Sequence, residues 1–140
     1  MGRSIYAIFI FIIFFSFCAS KKDYIKEVYY LKYGLPKEYK RTGLISSSTY
    51  QVYFQIRASN YVEGLKIAKK EVIPLALEYL LQEPFVYVNI TYNGKQQIKK
   101  LIEKKGKIVY FKRVSEEQDI YDVVFHITDY DLRNQFKYIK

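Results

Sequence analysis

Residues 49–59 carry a strict alternation. Tyr50, Val52, Phe54, Ile56 and Ala58 fall on one side of an extended chain, and Gln51, Tyr53, Gln55 and Arg57 on the other. Successive strand side chains point to opposite faces, so a period of two predicts a strand with one buried and one wetter face. The residue types also favour strands. At Ser59-Asn60 the period changes. Asn60 can cap a helix, and Glu63 stands three residues on, as in a capping box. Tyr61, Leu65, Ala68, Val72, Leu75 and Tyr79 then recur at spacings of three and four, which predicts the buried stripe of a long helix. Lys66, Lys69 and Lys70 lie off that stripe. Pro74 lacks a backbone donor and crowds the turn before it, so a kink or a restart is expected there. Residues 75–81 are apolar nearly all round and should be deeply packed.

The remaining segments extend this pattern. Residues 85–91 (FVYVNIT) read as a second strand, and Asn93-Gly94 as a turn. Residues 95–105 predict a short helix with Ile98, Leu101 and Ile102 inward, ended by Gly106. Residues 107–114 and 120–128 predict an antiparallel hairpin. Asp129 is placed to cap a last helix over residues 130–137, with Leu132 and Phe136 inward. The expected order is β-α-β-α-β-β-α. This is an α+β fold, a small, mainly antiparallel sheet with two main helices on one face. Residues 49–140 form its single domain. Residues 21–48 read as a tether and irregular segment. Within it, residues 28–33 suit a short strand or docking segment, and residues 36–48 read as a linker or long loop with Ser46, Ser47 and Ser48 as filler.

Residues 1–20 bear on location. Arg3 precedes a run, residues 5–17, that is apolar apart from Ser16. A basic start, an apolar stretch of this length and a small-residue patch are expected of a secretory signal peptide. The run is shorter than the ~20 residues of a usual membrane span. Two readings of its end stay open. Cleavage after Ser20 discards the chain's one cysteine. Alternatively Cys18 is acylated, since Phe15-Ser16-Phe17-Cys18 resembles a bacterial lipobox, with Phe17 where that pattern has a small residue. With one cysteine there is no intrachain disulfide framework. The expected location is the periplasm or outer membrane of a bacterium, with secretion as the alternative.

The formal net charge of +9 is unevenly distributed. Residues 94–114 hold eight bases and one acid, residues 115–131 six acids and no base, and residues 132–140 three bases and no acid. A basic face beside an acidic loop follows, suited to anionic lipid, glycan or an acidic envelope protein. Lys95, Lys99, Lys100, Lys104, Lys105, Lys112 and Arg113 are the residues expected to form it.

The catalytic vocabulary is sparse. His126 is the only histidine and sits in an expected strand, which favours a structural role. No serine lies in a Gly-x-Ser-x-Gly elbow, and no glycine-rich phosphate loop occurs. Clustered His and Cys, as transition metals require, are absent. Asp119, Asp122, Asp129 and Asp131 could offer oxygens to calcium but lack EF-hand spacing; loop and capping roles, balancing the basic stretch, fit them better. Tyr110, Phe111, Lys112 and Arg113 could stack bases and meet phosphates, but export makes a nucleic-acid partner unexpected. No cofactor is expected.

Residues 50–58 (YQVYFQIRA), 64–70 (GLKIAKK) and 121–128 (YDVVFHIT) together resemble the LPP-twenty class of bacterial envelope lipoproteins and the related N-terminal domain of a flagellar assembly protein. The resemblance implies a non-enzymatic envelope protein, with no catalytic residues to carry over. The expected function is therefore a non-catalytic envelope protein that binds another envelope component through its basic and aromatic surface. A secreted or surface-exposed adhesin or host-interaction factor is the first alternative. An enzyme using a carboxylate pair such as Asp122 and Asp131 is the second.

Overall fold

The computed structural model describes residue 35 and residues 37–140 apart from 116 and 117. The expected signal segment with Cys18, and the strand expected over residues 28–33, lie outside the described residues. A 3-10 turn, Lys37–Tyr39, leads into strands β1 (Gly43–Ser46) and β2 (Thr49–Arg57). Helices α1 (Tyr61–Leu81) and α2 (Tyr92–Lys105) follow, then strands β3 (Gly106–Ser115) and β4 (Gln118–Thr128), and finally helix α3 (Leu132–Tyr138). The sheet order is β1-β2-β4-β3, with every neighbouring pair antiparallel. The fold is α+β, as the sequence predicts, but its order is β-β-α-α-β-β-α.

Two segments account for that difference. Residues 85–91 are not a strand. Phe85, Val86 and Ile90 pack into the core instead of pairing: Val86 is buried, and Phe85 packs edge-on to Tyr50 at 6.5 Å between ring centres. Thr91 is taken up as the cap of α2, its Oγ1 accepting the Gly94 N–H at 3.1 Å, so Asn93-Gly94 lies inside the first helical turn. Conversely, residues 43–46 are a strand and not loop. Ser47 and Ser48 form the turn to β2, and their carbonyls accept the Arg133 and Asp129 N–H groups. The serines thus join this hairpin to the start of α3. Asp131, not Asp129, stands at the N-cap of α3, with a left-handed φ of 48° and no side-chain capping bond.

α1 begins as expected. Asn60 Oδ1 accepts the Glu63 N–H at 3.0 Å, while the Glu63 carboxylate reaches back to the Ser59 N–H at 3.2 Å. The helix then runs unbroken through Pro74. Pro74 and Lys70, whose carbonyl it leaves without a donor, are both exposed, so water can bond that carbonyl. The buried line is Gly64, Ala68, Val72, Ala76 and Leu80. It shares only Ala68 and Val72 with the expected stripe; Tyr61 is exposed, and Leu65, Leu75 and Tyr79 are half-buried flanks. The small residues face the sheet because the helix lies close to it. A Cβ on Gly64 would come within 2.8 Å of Phe111 Cζ and 3.2 Å of Ala58 Cβ.

Among the described residues, burial divides into two apolar clusters. The larger joins Tyr50, Val52, Leu80, Ile98, Phe125 and Phe136, among others; the smaller joins Ile56, Ala58, Ala68, Tyr121 and Val123. Phe111 stacks on Tyr121 at 4.9 Å beside the smaller cluster.

Candidate functional site

The seven expected surface cations do not form one face. Lys95, Lys99, Lys100 and Lys104 are exposed on α2. They make two i,i+4 pairs, Lys95 with Lys99 and Lys100 with Lys104, which lie on opposite flanks of the buried line Gly94, Ile98 and Ile102. Glu103 is the single acid on this helix. The other three are engaged elsewhere. Lys105 bonds Asp129 at 3.2 Å, which holds the Asp129 carboxyl below its ordinary range. Arg113 pairs with Asp119. Lys112 lies across the β3–β4 ladder from Asp122. The basic run crosses Gly106 from helix into strand, so Lys112 and Arg113 project from a different element, whereas Lys105 remains on α2 and is set apart by its bond to Asp129.

The four aspartates considered as calcium ligands or as a catalytic pair are likewise dispersed. Asp119 and Asp129 hold cations, and Asp131 accepts from Asn134 Nδ2 at 2.8 Å. Asp122 is buried on the sheet face turned away from the helices. It accepts from Tyr53 Oη at 2.8 Å and Gln55 Nε2 at 2.9 Å, with Lys40 Nζ at 3.7 Å. Burial, then the bond to Asp122, pushes the Tyr53 phenol up to about 12. Tyr110 is raised by burial and by the same carboxylate. Among the described residues no three His, Cys, Asp or Glu side chains converge as a metal site needs.

His126 sits on this same face, opposite Gln51. Gln51 is buried and ties the face to the segment before β1: its Nε2 donates to the Tyr39 and Arg41 carbonyls at 3.2 and 2.8 Å. Its Oε1 can then only accept, so His126 Nε2 carries the proton in their 2.9 Å bond. Burial lowers the His126 pKa from 6.5. The unfolded chain therefore takes up a proton near pH 6.5 that the folded chain resists, and stability falls as pH drops through that value. In thermal melts across this window, above the carboxylate range near about 4, His126→Gln should flatten the fall. Parallel curves for the two proteins would refute the assignment.

A further basic feature escapes a residue-by-residue reading. The segment 84–88 and the outer side of α3 enclose an open cleft of about 660 Å³, lined by Phe85, Tyr87, Val88, Arg133, Asn134 and Lys137, among others. No acidic side chain is part of the lining. The signal was present in the acid-free final segment, residues 132–140, and in the i,i+4 spacing of Arg133 and Lys137. Among the described residues no helix is long and apolar enough to cross a membrane. Set beside known proteins, the chain matches no family model, no curated protein and no solved structure.

Proposed function

We propose that this is an exported, non-catalytic envelope protein of a bacterium, resembling the LPP-twenty class, that binds an anionic envelope component through the exposed face of α2. One observation carries this reading. Lys95, Lys99, Lys100 and Lys104 stand exposed with only Glu103 among them, while Lys105 and Arg113 are bound to aspartates. Like charges at i,i+4 cost a helix a few tenths of a kcal/mol per pair. An anionic partner would convert that cost into attraction.

The interaction should be electrostatic and therefore salt-sensitive, since the screening length is only about 10 Å at 0.1 M salt. Retention of the full chain on a bacterial envelope preparation should fall with added salt. Replacing the four lysines with glutamine should weaken it at least about tenfold, without lowering the melting temperature. Equal retention of the variant would overturn the reading. So would a reproducible hydrolase activity abolished by His126→Ala. Mass spectrometry of the mature N-terminus separates the routes of export. Acylated Cys18 means a lipid anchor, Lys21 at the terminus a soluble exported form, and intact Met1 a membrane-held chain.

A further inference from the structure

We propose that the cleft between residues 84–88 and α3 is a second, separate surface that docks onto a phospholipid bilayer bearing anionic headgroups. Arg133 and Lys137 would hold phosphates, and Tyr87 and Val88 would enter the interfacial layer. From the preceding reading this takes only that the chain works beside a membrane.

The cations come first. Arg133 and Lys137 share one side of α3 and line the cleft with no acid in its wall. Among the described residues neither forms an ion pair. Lys137 is in the last turn, where the helix dipole favours a cation. Arg133 is in the first turn, where the dipole favours an acid, so local helix energetics do not account for it. A guanidinium beside an ammonium in an acid-free hollow suits phosphate oxygens, which the planar fork can meet in pairs.

The rim distinguishes a bilayer from a soluble anion or an acidic protein. Val88 is 93% exposed at the tip of the 84–88 segment, beside Tyr87, and Tyr138 is 73% exposed next to Lys137. A soluble phosphate would fill the hollow and leave these side chains in water. Tyrosines and an apolar tip around a basic centre match the headgroup layer, where amphipathic rings settle and basic residues meet lipid phosphates. The segment is fixed for this use. Phe85 lies between Tyr50 and Phe136, each 6.5 Å away between ring centres, and Val86 is buried, so Tyr87 and Val88 are held outward.

The chain contains no tryptophan, so V88W places a single reporter at the tip. Its signal is local, and an apolar N-terminus already in the membrane does not produce it. With mixed phosphatidylglycerol–phosphatidylcholine vesicles, the full-length V88W chain should show a blue-shifted emission quenched by brominated acyl chains. With phosphatidylcholine alone it should stay water-like. Arg133→Gln with Lys137→Gln in that background should weaken the anionic-vesicle response about thirtyfold. Added inorganic phosphate should produce no blue shift. A water-like tryptophan on anionic vesicles, or an unchanged response in the charge-neutral variant, would overturn the docking site. The α2 lysine assay would then still decide the proposed function by itself.

Discussion

Phe136→Ala is expected to cost about 3–5 kcal/mol, a large share of the roughly 5–15 kcal/mol that holds a domain of this size together. α3 is seven residues long, too short to persist by its own hydrogen bonding. Leu132 and Phe136, both fully buried, are what fasten it to the larger apolar cluster. The ring of Phe136 also backs Phe85, so its removal leaves a void that borders two elements at once. Relaxation into that void would unseat α3, and with it the carbonyl contacts from Ser47 to Arg133 and from Ser48 to Asp129. Urea unfolding of the purified chain measures the loss as a lower midpoint at unchanged slope. A loss below about 1 kcal/mol would mean that α3 is not fastened as described.

Gly106→Ala is expected to cost about 2–3 kcal/mol, at the upper end for overpacking a tight site. Backbone conformation is not the cause, because φ −82° and ψ 141° are open to any residue. The cause is contact. An added Cβ would lie 2.0 Å from Phe125 Cζ and 2.5 Å from the Ile102 carbonyl oxygen. That carbonyl accepts the Gly106 N–H at the end of α2, so the new methyl presses on the bond that closes the helix. Phe125 is buried in the central strand and cannot swing clear. A double-mutant cycle with Phe125→Leu isolates the clash. The two substitutions together should cost less than the sum of each alone, whereas strict additivity would place the damage elsewhere.

The parts of the fold that were legible in the sequence are those set by a local period. The alternation from Tyr50 to Ala58, the switch at Asn60 and the β3–β4 hairpin are all read from neighbours a few residues apart. Residues 85–91 failed because aromatic and β-branched residues serve a core plug as well as a strand, and only the sheet's other strands decide which. β1 was missed for the converse reason: four residues, Gly43–Ser46, are too few to show a period. On α1 the large apolar residues mark an azimuth that lies on the flanks of the buried line. A helix that packs closely turns its small residues to the sheet, so Gly64 and Ala76 mattered more than Tyr61 and Leu75. The basic surface misled in a similar way. A charge run is continuous along the chain, but at Gly106 this one passes from a helix to a strand, where Arg113 pairs with Asp119 and Lys112 faces Asp122 across the ladder. The four exposed α2 lysines were legible because they share one helix. Arg133 and Lys137 were not, because their neighbours across the cleft lie some fifty residues earlier in the chain.

The graded line Gly64, Ala68, Val72, Ala76 and Leu80 has a consequence for how this sequence can drift. At the Gly64 end nothing smaller exists, and anything larger meets Phe111 and Ala58. Change there must begin on the sheet, with Phe111 or Ala58 yielding volume first. At the Leu80 end the side chain shares its space with Phe136, Ile98 and Val86, and a methyl lost by one can be regained by another. Diverged copies of this chain should therefore vary in size at Leu80 together with its neighbours and remain narrow at Gly64. One helix would then carry two different rates of substitution along its buried edge.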